Sequence, residues 1–439
     1  MLIVTFVLQL NTMTRFFTLA AFLLLTLAMR AEDTLTVMHY NLLYYGANTS
    51  FCTNENNNLD DKNVHLKVIL NAVRPDVFTV NEISALEINQ LGLMENTLNV
   101  DGVNYYQKAL PSNQAGSGIV NMMYYDSRKL RLKAQYTAQN YIRDIDVYEL
   151  YYISNDLMQG DTSFVVCAVA HLKSGNNNDD EAKRKIMVDN AMAYLEARYT
   201  EENILFMGDL NVYSGSDDAY QTLTNYSNSA IRFIDPIDQL GAWNNNSAFA
   251  AIHTQSTNSN STGCAAGGGM DDRFDFILVS DEVRFGTKSI SYIEDSYIAF
   301  GQDGLHFNSS IGAPPANGVV SEEVAYALQN MSDHLPVVLQ LQVDKTLDLF
   351  EQQRNPFLAG LLSNPVSDLL RLSFYQPTAG SLIFNLYNTH GQLVKIESRD
   401  FMTGKQQFSM NIESVPAGFY LLQLTNERGL SSVMKVMVR

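Results

Sequence analysis

The sequence predicts an α/β protein, with mixed sheets and helices on the outside, followed by a small all-β unit. Three observations predict it. Strand-like and helix-like segments alternate early, successive strands fill the middle, and strands and helices alternate again before a last strand near residue 343. Most of the apolar runs end in a polar residue at or near the strand end. After residue 362 only short strands with turn residues between them remain, which suggests a β-sandwich. The 439 residues are enough for two or three domains, and 46% apolar content makes the chain globular. A formal net charge of −18 argues against a broad basic surface that grips nucleic acid by counterion release. It leaves room for one local cleft and favours the capture of divalent cations.

Residues 1–31 read as an export signal. Arg15 precedes the run Phe16 to Ala28, and small residues lie near Ala28 and Ala31. The run is short for a membrane span, no later segment is long and apolar enough to be one, and Met13 is an alternative start. Cys52 and Cys264 both lie in polar loops and could pair, because export permits disulfides. Cys167, inside FVVCAVAHL, reads as a buried thiol.

In order, Thr34 to Tyr45 is a strand that carries Asn41. Asp60 or Asp61 caps a helix that runs to Arg74, where Pro75 stops it. PDVFTVNEI is a buried strand with Glu82 at its carboxyl end, and Ser84 with Glu87 has the spacing of a helix capping box. Strands fill Gly118 to Ser174, the last of them ending in His171. A helix spans Asp179 to Tyr199. In NILFMGDLNVYSG, four apolar residues form a buried strand that breaks at Gly208. Asp209 and Asn211, two apart, then face one side. A short helix follows near Asp217 to Tyr226, and Asn244 to Gly269 reads as a mobile surface loop. RFDFILV carries Asp275, and SDHLPVVLQLQV carries Asp333 and His334. Residues 344–362 read as a linker between a unit over 32–343 and a unit over 363–439. Strand ends supply the residues of most catalytic crevices in α/β folds, so this recurrence of polar residues is the strongest physical signal.

HYNLL with Asn41, PDVFTVNEI with Glu82, VAHLKSG with His171, GDLNVYSG, RFDFILVS and SDHLPV occur in one order that resembles the endonuclease/exonuclease/phosphatase superfamily. The resemblance implies a deoxyribonuclease-I-like four-layer α/β/β/α sandwich with its site at one edge of the paired sheets. SNPVSDLL, LYNTHGQLV, PAGFYLLQL and the terminal KVMVR resemble the C-terminal sorting domain of type IX secretion cargo in Bacteroidetes. That implies a secreted or surface-attached protein whose tail meets the secretion machinery.

Phosphodiester cleavage needs a cation on the phosphate, an oriented water and a donor for the leaving oxygen. Glu82 is the best candidate ligand for Mg²⁺ (Mn²⁺ or Ca²⁺ are alternatives), with Asn41 offering a neutral oxygen and Asp333 completing the set. By resemblance, Asp209 orients or deprotonates the water and Asn211 binds a phosphate oxygen. His334 contacts the phosphate or moves a proton, held by Asp275, and His171 donates from the other side. Arg143 is a phosphate clamp by position, or else an ion-pair partner of Asp144 or Asp146. The expected activity is that of a secreted, metal-dependent endonuclease acting on nucleic acid. The alternatives are a sphingomyelinase-like lipid phosphodiesterase, a phosphatase, or an inactive surface binding module. His39, His65, His253, His306 and His390 match no motif and read as structural or surface groups.

Overall fold

The computed structural model describes residues 33–154, 157, 162–345, 357, 359–376, 378–427 and 429–439. The segment expected to be an export signal and most of the expected linker lie outside the described residues.

The first half of the larger unit runs β1 (Asp33–Tyr45), α1 (Leu59–Val73), β2 (Val77–Ser84), α2 (Glu87–Leu93), β3 (Tyr106–Lys108) and β4 (Ile119–Asp126). The second runs β5 (Leu130–Gln139), β6 (Ile145–Tyr152), β7 (Phe164–His171), α3 (Asn178–Arg198), β8 (Ile204–Asp209), α4 (Asp218–Thr224), β9 (Phe233–Ile234) and β10 (Asp275–Ser280). It closes with α5 (Asp281–Phe285), β11 (Ile290–Tyr292), β12 (Ile298–Ala299), α6 (Glu322–Met331) and β13 (Val337–Val343). One sheet has the order β11-β13-β1-β2-β4-β3, with β12 beside β13, and the other has β5-β6-β7-β8-β10-β9. Each sheet contains one parallel pair, β1/β2 or β7/β8, joined through a helix, α1 or α3, as a parallel connection requires.

The alternation along β8 shows how the layers are held. Leu205 and Met207 join the cluster that fills the space between the sheets, where they share a core with Val37 and Val80. Ile204 and Phe206 face outward and pack with Met187, Val188, Ala191 and Leu195 of α3. Helices α1 and α6 contact each other and add Leu66, Ile69 and Leu328 to the first cluster. The result is the α/β/β/α sandwich. The strand does not break at Gly208 as expected; β8 continues to Asp209, pairing Gly208 with Ala170 and Phe276. A Cβ on Gly208 would lie 1.8 Å from the Ala170 carbonyl oxygen, so glycine lets β7 and β8 approach just before the site.

Two other local expectations differ. Ser84 remains in β2 and its hydroxyl accepts from Leu86 N, so α2 starts at Glu87, after Leu86, without the Ser84–Glu87 capping box. The segment 252–257, expected on the surface, is largely buried, with His253, Thr254 and Thr257 fully enclosed. His39 and His306 are also buried.

The His306 ring has Asp303 Oδ1 at 2.9 Å from Nδ1, and the Ala313 and Pro315 carbonyls at 2.8 and 3.0 Å from Nε2. Three acceptors on two nitrogens require both to carry protons. Burial alone would lower the His306 pKa, but Asp303 and the carbonyls outweigh it and raise it. The pair's stabilisation is therefore fully present below about pH 6.5 and lost as pH rises through the raised folded value. Thermal unfolding should show a melting temperature that falls by about 2 °C more between pH 6 and pH 9 in the wild type than in His306→Gln. Parallel curves for the two proteins would refute the charged ring.

The tail forms two facing sheets. β14 (Gly360–Leu361), β15 (Leu369–Gln376), β16 (Gly380–Asn388), β17 (Leu393–Phe401), β18 (Gly404–Asn411), β19 (Gly418–Asn426) and β20 (Ser431–Val438) pair as β14-β15-β18 and β17-β16-β19-β20. Leu370, Leu372 and Phe408 of one sheet meet Leu382, Phe384 and Leu422 of the other, and Phe384 stacks on Phe408 at 3.8 Å.

Candidate active site

Strand direction explains why the polar residues converge. Asn41, Glu82, His171 and Asp209 lie at or near the carboxyl ends of the two parallel pairs. β10 and β13 run antiparallel to β8 and β1, so Asp275 at the start of β10 and Asp333–His334 just before β13 reach the same edge. His171 is in register with Asp209, and Asp209 with Asp275.

The backbone is bent where it delivers these side chains. Leu43, Tyr44, Glu82 and Asn211 all have left-handed φ, between 45° and 57°. Each such non-glycine residue costs of the order of 1–3 kcal/mol, and such strain gathers at functional sites. The β1/β2 register shifts between Asn41 and Tyr45, and the β2/β4 register between Val80 and Ile83. These irregularities turn Glu82 out of the ladder so that its Oε2 accepts from Tyr44 N at 3.1 Å.

Asp209 is at the centre. Its Oδ1 accepts from Asn211 N at 3.0 Å, its Oδ2 accepts from Asn41 Nδ2 at 3.0 Å, and Oδ2 lies 3.6 Å from His171 Nε2 and 3.8 Å from His334 Nε2. Burial pushes its carboxyl up to about 7, with the Asp275 and Glu82 charges adding to the rise and His334 opposing it. Burial and then the Asp333 charge raise the Glu82 pKa. Burial pushes His171 well below its ordinary value, helped by Arg143 and His334. Burial would lower His334 as well, but Asp275 and Asp209 overcome it and hold its proton on. His334 Nδ1 is 2.7 Å from Asp275 Oδ2, which leaves Nε2 toward the cleft.

Asn41 differs from its expected pose. Its Oδ1 accepts from Leu43 N, and its Nδ2 donates to Glu82 Oε1 at 3.2 Å and to Asp209, so the nitrogen faces the carboxylates. Among the described residues, the acid and histidine group with the spacing of a metal site is Glu82, His171 and Asp209, with ligand atoms within 4.8 Å of one another. Asp333 lines the same cleft, accepting from Ala266 N at 2.8 Å. Glu82, Asp209 and Asp333 make no ion pair with lysine or arginine among the described residues. Three little-exposed carboxylates with no lysine or arginine partner suit a hard divalent cation.

Arg143 lines the cleft and donates from Nη1 to Leu172 O at 2.9 Å. Among the described residues it pairs with neither Asp144 nor Asp146; Asp144 accepts instead from Gln114 N and Ala115 N. Asn211 Nδ2 also reaches Leu172 O, at 3.3 Å. The cleft holds about 300 Å³. Its wall includes Ser174 of VAHLKSG, and Gln255, Ser261 and Gly263 to Ala266, which carried no motif.

Several supporting residues had not been singled out. Asn81 Oδ1 accepts from Asp209 N at 2.9 Å, and its Nδ2 donates to Asn121, which bonds Asp146. Gln255 Nε2 stands 2.7 Å from His334 Nε2. The buried segment around it ties β10 to the chain before β13, because Leu335 N donates to Thr254 O and Asp275 N to Thr254 Oγ1. Ser332 Oγ donates to Asn41 O, and the buried Lys62 Nζ to Met331 O. The only sequence signal was a polar residue inside an otherwise apolar run, as at Asn81.

The Endonuclease/Exonuclease/phosphatase family model matches residues 38–334, and that of the Secretion system C-terminal sorting domain matches residues 363–439. A search of curated proteins gave no match. Among solved structures, an endonuclease/exonuclease/phosphatase family protein from Bacteroides thetaiotaomicron is similar at 15% identity, over 72% of this chain and 99% of that one, with a TM-score of 0.42. D. rerio TDP2 complexed with single strand DNA product is similar at 13% identity, over 70% and 99%, with a TM-score of 0.43. The human Nocturnin catalytic domain with bound sulfate is similar at 12% identity, over 71% and 97%, with a TM-score of 0.41. The tail marks a secreted or cell-surface protein of the type IX pathway, and among the described residues no helix is long and apolar enough to cross a membrane. With the family's pattern matched over more than half its length, the chain belongs to the Endonuclease/Exonuclease/phosphatase family of hydrolases.

Proposed function

We propose that this protein is an exported, divalent-cation-dependent endonuclease that hydrolyses nucleic-acid phosphodiester bonds with an activated water. The observation that carries the proposal is the placement of Asp209 Oδ2 between two histidine Nε2 atoms, at 3.6 and 3.8 Å, beside Glu82. Mg²⁺, or Mn²⁺ or Ca²⁺ in its place, would be held by Glu82 with Asn41 and Asp333, and when bound it would offset the phosphate's negative charge. Asn41 would offer its oxygen by turning its amide, which gives up the Leu43 N–H bond.

Asp209 orients the water and takes its proton. Asn211 Nδ2 and Arg143 hold non-bridging oxygens, and both already lie against Leu172 O. His334, its Nδ1 fixed by Asp275, presents Nε2 to the phosphate or to the leaving oxygen. His171 donates from the other side.

The lining favours nucleic acid over lipid. Apart from Leu43 and Tyr44, the cleft residues are polar or small, with no apolar belt for an acyl chain. Initial rates of the mature protein should be compared on plasmid DNA, single-stranded DNA, RNA, sphingomyelin and a phosphate monoester. The proposal expects nucleic acid to exceed the others by at least about 100-fold in kcat/KM, a difference of ~2.7 kcal/mol. Preference for sphingomyelin or the monoester would replace it.

A further inference from the structure

We propose that the Cys52–Cys264 disulfide is a positioning element of the catalytic centre, so that the enzyme gains its full activity only after it is oxidised on export. This rests on the cation-dependent reading above. The bond links the loop after β1 to the loop before β10, across 212 residues of sequence. The end of β1, at the base of the first loop, and the second loop each deliver one backbone N–H to a carboxylate of the site. Tyr44 N donates to Glu82 Oε2 at 3.1 Å, and Ala266 N donates to Asp333 Oδ2 at 2.8 Å.

The disulfide sits between these two donors. Phe51, next to Cys52, packs edge-on against Tyr44 at 5.2 Å between ring centroids. Cys264 is two residues from Ala266, and both line the cleft. Asn56 Nδ2 donates to Thr262 O at 3.2 Å, an exposed bond that cannot replace the covalent link. The stem of the second loop is fixed by Ser256 Oγ to Ala266 O and by Gly268 N to Ser259 O, so its tip, Ser261 to Ala265, depends most on the disulfide. Oxidation thus ties the chain that leaves β1 to the loop that carries Ala266, beside two carboxylates that would share a cation. In a reducing cytoplasm the same residues would lack this restraint, which would limit phosphodiester cleavage inside the producing cell.

The redox step is thiol–disulfide exchange. The Cys52 and Cys264 thiols give up two protons and two electrons to a disulfide of an exported oxidoreductase, which becomes a dithiol. The buried thiol of Cys167 takes no part.

The test uses the mature full-length protein in three forms: oxidised, reduced with a phosphine and alkylated, and Cys52→Ser/Cys264→Ser. Circular dichroism selects a temperature at which all three are folded. Mn²⁺ affinity is measured by titration calorimetry and turnover by plasmid nicking. Outer partners of ligands typically contribute 10–100-fold, so the reduced and double-variant forms should bind Mn²⁺ about tenfold or more weakly, with kcat reduced similarly. Should the double variant not fold, Ala266→Pro, which removes the N–H at Asp333 and also fixes the backbone there, should weaken Mn²⁺ binding with the disulfide intact. Equal Mn²⁺ affinity and kcat in oxidised and reduced enzyme would overturn the inference, even with a lower melting temperature. An oxidised enzyme that binds no Mn²⁺ would overturn the cation-dependent reading and this inference with it.

Discussion

Asp209→Asn should lower kcat on a phosphodiester by about 10²–10⁴-fold, the range that proton transfer by a placed side chain contributes. The substitution keeps the shape and an oxygen for Asn211 N, but it removes the carboxylate proposed to take the proton from water. Because the Asp209 carboxyl is pushed up to about 7, it is poised to accept a proton near neutral pH, which an amide does not do. KM should change little, because the loss falls on the transition state. Mn²⁺ affinity decides between two placements of the cation. If Glu82, Asn41 and Asp333 hold it, affinity in Asp209→Asn stays near the wild-type value. If Glu82, His171 and Asp209 hold it, as their 4.8 Å spacing permits, affinity falls together with kcat.

Glu82→Gln should abolish cation binding and with it nearly all activity, while making the protein more stable. Glu82 is little exposed, faces the charge of Asp333 and has its pKa raised by both causes. A group whose folded pKa is raised disfavours folding when it is charged, so its neutral replacement removes a repulsion at pH 7. The amide oxygen can still accept from Tyr44 N, and Asn41 Nδ2 keeps its bond to Asp209, so neither donor is left without a partner. Without added cation the melting temperature should rise by about 2 °C. Titration calorimetry should show at least a tenfold loss of Mn²⁺ affinity, about 1.4 kcal/mol. Unchanged affinity would remove Glu82 from the cation site.

The candidate site residues were legible because each punctuates an apolar run. Asp209 after ILFMG, Glu82 after VFTVN and His334 before LPVVLQL are conflicts between local pattern and local chemistry, and such conflicts mark sites. Their convergence on one edge follows from strand direction, which the structure supplies; in the sequence it was implied only by the family resemblance. The tail's period-two strands were equally plain. What stayed hidden depends on contacts far apart in sequence. Asn81 supports Asp209 across 128 residues, and Gln255 reaches His334 across 79. Segment 252–257 is too polar to look buried, and only its bonds to β10 and to the chain before β13 place it inside. The capping box at Ser84 failed because β2 pairing with β4 held that residue in the sheet. Gly208 was read as a break, although its role is to let two strands approach.

Nicking of supercoiled plasmid by the mature oxidised protein and by His334→Ala, side by side, with Mg²⁺ and then with a chelator, tests the central claim most directly. The account predicts open-circular product from the wild type with Mg²⁺, none with the chelator, and a rate at least about 100-fold lower for His334→Ala. Nicking that survives chelation, or that is equal in the variant, would contradict it.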